Sequence, residues 1–327
     1  MRIYLGVDGG GSKTAFLLVD ESGRVLAAHA EGPAYYLEIG WETMRAMLAR
    51  GIAATLHQAT LPSSKVDFAF LGLPAYGEDS RLLGAFDAAA SPPLHSGRYR
   101  CGNDAVCGWA GALACQDGIN VVAGTGSIAY GELNGRVARA GGWGELYGDE
   151  GSAYWIARGG LNLFSRMSDG RTGRGALYDI LQRHFALQSD LDLCAAIYDK
   201  NQRSHLAVLS TLIAQAATAG DLQASALFAR AADELAQLVD AVHRRLEIPE
   251  LTTVTVSYSG GLFQQRDLLL TPFLSKLAMD PGRYRLAAPR LPPAAGAALY
   301  AAKLSGAPLS AQAISAMEAQ LRTETAM

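Results

Sequence analysis

The sequence predicts an α/β protein of two domains, and three observations carry that expectation. At 327 residues the chain exceeds the length at which one core keeps growing, so two domains with a cleft between them are expected. Strand-like and helix-like stretches alternate through its first third. One local plan, a strand, a glycine turn and two further strands, occurs at residues 2–30 and again at 119–140. The expected division is 1–117 and 118–327, with the last helix packing back on the first domain.

The first unit reads as strands Ile3–Val7, Ala15–Val19 and Arg24–Ala28, joined by the glycine turn and by Glu21-Ser22-Gly23, and closed by Gly32-Pro33. Trp41–Gln58 places Met44, Met47, Leu48, Ile52 and Leu56 at helical spacing. The strand Val66–Leu71 stops in Gly72-Leu73-Pro74-Ala75-Tyr76-Gly77. A short segment, Tyr99–Cys101, leads through Gly102-Asn103-Asp104 into an Ala-rich helix, Ala105–Ala114. The second unit has strands Ile119–Ala123, Ile128–Gly131 and Arg136–Ala140, and Gly135-Arg136-Val137 echoes Gly23-Arg24-Val25 at the equivalent place.

A glycine-dense loop, Gly141 to Ser152, then enters a helix over Ala153–Phe164, and a polar loop is expected at 165–175. Helices fill most of 176–247, including continuous ones at Leu206–Ala219 and Ala224–Leu246. Val254–Ser257 is a strand running into Ser259-Gly260-Gly261, with Gln264 or Gln265 opening a helix. Pro292-Pro293 suits the first turn of another, and 308–327 reads as a final amphipathic helix with a frayed end.

Composition narrows the function. Half the residues are apolar and few are aromatic, as in a globular chain rather than a disordered or disulfide-stapled one. A net charge of −3 without a polybasic run weighs against nucleic-acid or anionic-membrane partners. The N-terminal strand meets Asp8 and Lys13 too early for a signal peptide, and no apolar run approaches bilayer length, so a cytoplasmic location is expected. Cys101, Cys107, Cys115 and Cys194 form no C-x-x-C pair and have no His at ligand spacing, which favours buried thiols over a metal or iron–sulfur site.

The first glycine turn carries the chemistry. Backbone N–H groups of Gly9, Gly10 and Gly11 can approach an anion closely and form a concavity for phosphate. Asp8 would repel a bare phosphate, so it implies a divalent cation, Mg²⁺, between them. A Walker-type loop is excluded, because Ser12 separates Gly11 from Lys13 and a strand follows Thr14 instead of a helix. Gly124-Thr125-Gly126-Ser127 repeats the plan, and two such loops facing across a cleft can grip one polyphosphate from both sides. The bare match of Gly124, Gly126 and Ala129 to a dinucleotide fingerprint fails, since the Asn134-Gly135 turn comes too early for the required helix.

Other candidates each have a plain alternative. Asn103 and Asp104 suit either a helix cap or catalysis. Asp149 and Glu150 suit either the dipole of the helix they precede or a ligand. Trp143, between glycines, suits a sugar face. Gly260-Gly261 admits either close helix–strand packing or a flat nucleobase or ribose. His184, His205 and His243 each stand alone in helical context and read as surface or satisfied core.

In this order the motifs resemble those of the sugar kinase, Hsp70 and actin superfamily of ATPases. The motifs are Asp8 to Thr14, Asn103-Asp104, Gly124 to Ser127, Gly142-Trp143-Gly144, Gly148 to Ser152, Asp169-Gly170-Arg171 and Ser259-Gly260-Gly261. Within the superfamily the chain is similar to BadF/BadG/BcrA/BcrD-type ATPases, N-acetylglucosamine kinases and bacterial glucosamine kinases. The resemblance implies an actin-like, ribonuclease H-like fold, each domain a mixed sheet flanked by helices, with ATP in the cleft. It implies Asp104 as the base toward a sugar 6-hydroxyl, Asp8 at the Mg²⁺, Gly9, Gly10, Gly11, Ser12, Lys13, Thr14 and Gly124, Thr125, Gly126, Ser127 at the phosphates, and Gly260 and Gly261 at adenosine. Asn103, Trp143, Asp149 and Glu150 would contact an amino sugar, and a homodimer is implied. Gly32-Pro33-Ala34-Tyr35-Tyr36 lacks the Asn that amino-sugar kinases often place there, and Pro74 replaces a usual small residue. Two other readings share the phosphate loops. One is an activator ATPase of acyl-CoA dehydratases or reductases, against which Leu262-Phe263 stands where a cysteine would be expected. The other is a nucleotide-gated binding protein.

Overall fold

The computed structural model describes residues 1–94, 97–198, 203–249 and 252–325. Strands β1 (Ile3–Gly9), β2 (Thr14–Asp20), β3 (Val25–Glu31), β4 (Phe68–Leu73) and β5 (Tyr99–Asn103) form a sheet in the order β3-β2-β1-β4-β5. Strands β6 (Gly118–Ala123), β7 (Ser127–Leu133), β8 (Arg136–Gly141), β9 (Val254–Ser259) and β10 (Tyr284–Leu286) form the other, in the order β10-β9-β6-β7-β8. In both, the first three strands are an antiparallel meander and the last two run parallel to the first. The duplication visible at 119–140 therefore extends to the whole sheet. Of its last two strands, β9 is expected at Val254–Ser257 and β10 is not; that they complete the repeat is hidden by more than a hundred residues, mostly helical, between β8 and β9.

Helices α1 (Tyr36–Ile39), α2 (Trp41–Gln58), α3 (Leu83–Leu94) and α4 (Ala105–Ala112) belong to the first half. The second half carries α5 (Ala153–Ser168), α6 (Ala176–Phe185), α7 (Asp192–Tyr198), α8 (Arg203–Val208), α9 (Ser210–Thr218), α10 (Leu222–Arg245), α11 (Thr271–Leu277), α12 (Pro293–Leu304) and α13 (Ala311–Thr325). Side chains alternate across each strand, and β1 shows the consequence. Ile3, Leu5 and Val7 join Met44, Leu48 and Phe86 on one face, whereas Tyr4 joins Leu17, Trp109, Ala298 and Met317 on the other. In the second half β6 and β9 pack Ile119, Val121 and Val256 against Phe228, Leu235 and Val239 of α10.

Helix α12 returns to the first sheet and is admitted by missing side chains. A Cβ on Gly6 would lie 2.3 Å from Ala294 O, and one on Gly296 would lie 2.1 Å from Gly111 N. α13 also lies there, where Gln320 Oε1 accepts from Val25 N at 2.8 Å. No described helix is long and apolar enough to cross a membrane.

Four local expectations change. The continuous helix Leu206–Ala219 is broken at Leu209 into α8 and α9. The helix after Gly261 opens at Gln265 as expected, which caps it, but its first stretch is a π turn (Arg266–Leu270) leading into α11, and a 3₁₀ turn (Gly261–Gln264) precedes it. The polar loop begins later, because α5 runs through Ser168. Helices α1 and α3 and strand β10 had no clear signal: α1 and β10 are very short, and α3 carries Pro92-Pro93. The frayed end at 326–327 lies outside the described residues.

Candidate active site

The two glycine turns face each other across a cavity of about 600 Å³. Each is closed by its own backbone: Gly10 N donates to Lys13 O and Gly124 N to Gly126 O, both at 2.9 Å. Their tips meet where Ser12 Oγ and Thr125 Oγ1 lie 3.4 Å apart. The start of α5 docks on the second turn, with Ala153 N donating to Gly124 O at 2.9 Å and Ser127 Oγ to Glu150 O at 2.7 Å.

Asp8 and Asp104 face the cavity from the carboxyl ends of β1 and β5, the end at which open α/β sheets build their sites. Asp8 pairs in register with Gly72, and Gly72 with Gly102. A Cβ on Gly72 would fall 2.2 Å from Cys107 Sγ and 3.1 Å from Asp104 Cα, so this glycine lets the first turn of α4 settle over the strand ends. The Asp8 carboxyl is pushed up to about 8, by burial first and then by Asp104, with Lys13 and Cys107 opposing. Asp104 is pushed up to about 6, by burial and then by Glu78, with Arg203 opposing. Asp104 makes no capping bond on α4. That bond belongs to Asn103, whose Oδ1 accepts from Ala105 N at 3.1 Å while its Nδ2 donates to Tyr76 O at 3.3 Å.

Asp149 has a positive φ of 56° and is buried, with Oδ1 accepting from Ser127 N at 3.3 Å. Its other oxygen accepts from the Arg203 guanidinium, which also lies 3.5 Å from Glu145 and sits 5.3 Å above the Tyr35 ring. Gly126 leaves room for this pair, since a Cβ there would lie 2.2 Å from Arg203 Nη2 and 2.9 Å from Asp149 Oδ1. At the far end, Gly260 has φ 102°, and a Cβ would lie 2.2 Å from Ala123 O. With Gly261, Gln264 and Gln265 it faces Val208, Ser210 and Thr211 at the α8–α9 break, leaving a slot between them.

The cavity thus gathers Asp8, Gly9 to Lys13, Asn103, Asp104, Gly124 to Ser127, Asp149, Gly260 and Gly261. Three expected residues fall outside its lining. Thr14 is buried and donates to Gly32 O at 2.8 Å. Trp143 is 67% exposed, and Glu150 meets Ser127 through its carbonyl. Arg203, Glu145 and Glu78 were missed. Arg203 opens a helix in a stretch with no glycine signal, while Glu78 stands one residue beyond the Leu73-to-Gly77 turn and could have been found there.

Two sheets of one topology, each contributing a glycine turn to a shared cleft, define the two-domain, actin-like class of fold. The chain belongs to the BadF/BadG/BcrA/BcrD ATPase family, whose model matches residues 5–301. It is 28% identical over 290 residues to an N-acetyl-D-glucosamine kinase of Dictyostelium discoideum, covering 85% of this chain and 91% of that one. It is likewise 28% identical over 309 residues to an N-acetylmuramic acid/N-acetylglucosamine kinase of Clostridium acetobutylicum, covering 92% and 98%. A crystal structure from Chromobacterium violaceum, provisionally named an N-acetylglucosamine kinase, is similar with a TM-score of 0.74 and 29% identity, covering 91% of this chain and 98% of that chain.

Proposed function

We propose that this chain is an ATP- and Mg²⁺-dependent kinase that phosphorylates the 6-hydroxyl of an amino sugar, N-acetylglucosamine or glucosamine. The observation that carries the reading is the meeting of the two glycine turns, at Ser12 and Thr125, over a cavity that also holds Asp8 and Asp104. Gly10 N and Gly124 N close the two turns, and the N–H groups at their tips, Gly11-Ser12 and Thr125-Gly126, receive the polyphosphate from both sides, with Lys13 adding a cation. The slot at Gly260-Gly261 receives adenosine.

Phosphoryl transfer needs little covalent help from a protein, so positioning and charge neutralisation dominate. Asp104 accepts the proton of the attacking hydroxyl and orients it. A pKa raised to about 6 keeps that carboxylate ionised near neutrality while bringing its basicity toward the working pH. Asp149 and Asn103 contact the sugar ring.

Asp8 fits a divalent cation: it is partly buried, protonated at neutral pH when alone, and would release its proton to a metal. No cluster of three acidic, His or Cys side chains is present among the described residues, and Mg²⁺ needs none, since it is commonly held by one or two carboxylates with substrate phosphates and water. When bound, Mg²⁺ neutralises charge on the phosphates. A cytoplasmic homodimer completes the proposal. The test is ADP release with the purified protein against glucosamine, N-acetylglucosamine, N-acetylmannosamine and glucose, with the phosphosugar identified by mass. ADP release that is equal with and without every sugar refutes it.

A further inference from the structure

We propose that Arg203 is a positioning residue of the acceptor subsite, holding Asp149 for the sugar and tying that hold to closure of the cleft; this rests on the kinase reading. Arg203 lies in the second half of the chain, with a side chain only 15% exposed. Its guanidinium bonds to Asp149, lies 3.5 Å from Glu145 and covers the Tyr35 ring at 5.3 Å. Its Nε is buried without a hydrogen-bond acceptor, so the fork is not fully satisfied by the protein. The same side chain opposes the rise in the Asp104 pKa, which places it within electrostatic reach of both carboxylates proposed for the sugar.

The backbone beside Arg203 is anchored across the cleft. Ser204 donates from N to Glu38 Oε1 at 3.3 Å and from Oγ to Glu38 Oε2 at 3.0 Å, and Glu38 lies on α1 of the first half. Tyr35, under the guanidinium, belongs to that half too. Among the described residues the cleft is bridged at Ser12–Thr125 beside the phosphates and at Arg203-Ser204 beside the acceptor. Only the second bridge engages an acceptor residue directly. A planar guanidinium fixes a carboxylate in a way a lysine does not. Burial raises the Asp149 pKa and Arg203 opposes that rise; with the guanidinium on one oxygen and Ser127 N on the other, the carboxylate is fixed and can accept from a sugar hydroxyl without having to be ordered by it.

The experiment compares full-length wild type, Arg203→Gln, Arg203→Lys, Asp149→Asn, the double variant Arg203→Gln/Asp149→Asn, and Glu38→Gln. Steady-state kinetics are measured with the best amino sugar and ATP, and binding of a non-hydrolysable ATP analogue by calorimetry. Arg203→Gln should raise the acceptor KM about tenfold or more, leave analogue affinity within about twofold, and add little to the defect of Asp149→Asn in the double variant. Arg203→Lys should recover part of the loss, and Glu38→Gln should raise the acceptor KM by a smaller factor. Additive single effects, an unchanged acceptor KM, or a lower one would overturn the assignment; the last would mean that Arg203 occupies the acceptor's place. Equal losses of acceptor and analogue binding, with a reduced Tm, would mark a merely structural role. A wild type that phosphorylates no sugar would refute the kinase reading itself, a separate outcome from loss of the Arg203 effect in an active enzyme.

Discussion

Replacing Asp8 by Asn should stabilise the ligand-free protein at alkaline pH while abolishing phosphoryl transfer. Burial first, then Asp104, raise the Asp8 carboxyl from an ordinary 3.8 to about 8. A carboxyl whose pKa is higher folded than unfolded contributes fully below the unfolded value, near pH 4, and that contribution is lost as the pH rises through about 8. At about 1.36 kcal/mol per unit, the shift sets a ceiling of roughly 6 kcal/mol. Partial contact of the residue with solvent brings the expected loss to about 2–3 kcal/mol. For a chain of this size that is a Tm difference of roughly 3–4 °C. The assay is thermal unfolding of both proteins in chelator at pH 5 and pH 8.5. The Tm of Asp8→Asn minus that of wild type should grow with pH, and MgATP should stabilise wild type more than the variant. Parallel pH dependence in the two proteins, or a variant that is the less stable at pH 8.5, would refute the reasoning.

Three further outcomes follow from the same geometry. Glu78→Gln removes the charge that, after burial, raises the Asp104 pKa, so the acidic limb of the kcat/KM profile should move to lower pH. Gly260→Ala forces a side chain into φ 102° and to within 2.2 Å of Ala123 O; it should cost about 2–4 kcal/mol in denaturant unfolding and weaken ATP binding. Trp143→Ala should leave the Tm within about a degree and the acceptor KM within about threefold, because the indole is 67% exposed and outside the cavity.

The fold was legible where sequence and structure share a short period. Strand and turn positions of both meanders, and Trp41–Gln58 to the residue, follow from apolar spacing and glycine punctuation. So did most of the cavity, because phosphate loops need glycine in numbers that composition exposes. The parallel halves of the sheets were harder, since β10 has three residues and β9 is far from β6 in sequence. Arg203 was illegible for a different reason: its role arises from tertiary contacts with Asp149 and Tyr35, far away in the chain, and one arginine opening a short helix looks like any solvated one. The break at Leu209 is also set by packing, as Leu206, Leu209 and Ile213 all enter one core while the backbone turns beside the cavity.

In the proposed reaction the two glycine turns deliver a phosphoryl group to a hydroxyl held at Asp104. Single-turnover transfer from ATP labelled at the γ-phosphate to an amino sugar, in wild type and Asp104→Asn, tests it most directly. Labelled sugar 6-phosphate should form in wild type and form about 10²–10⁴-fold more slowly in Asp104→Asn, with ATP affinity retained. Equal rates of transfer in the two proteins, or label appearing only in inorganic phosphate, would contradict it.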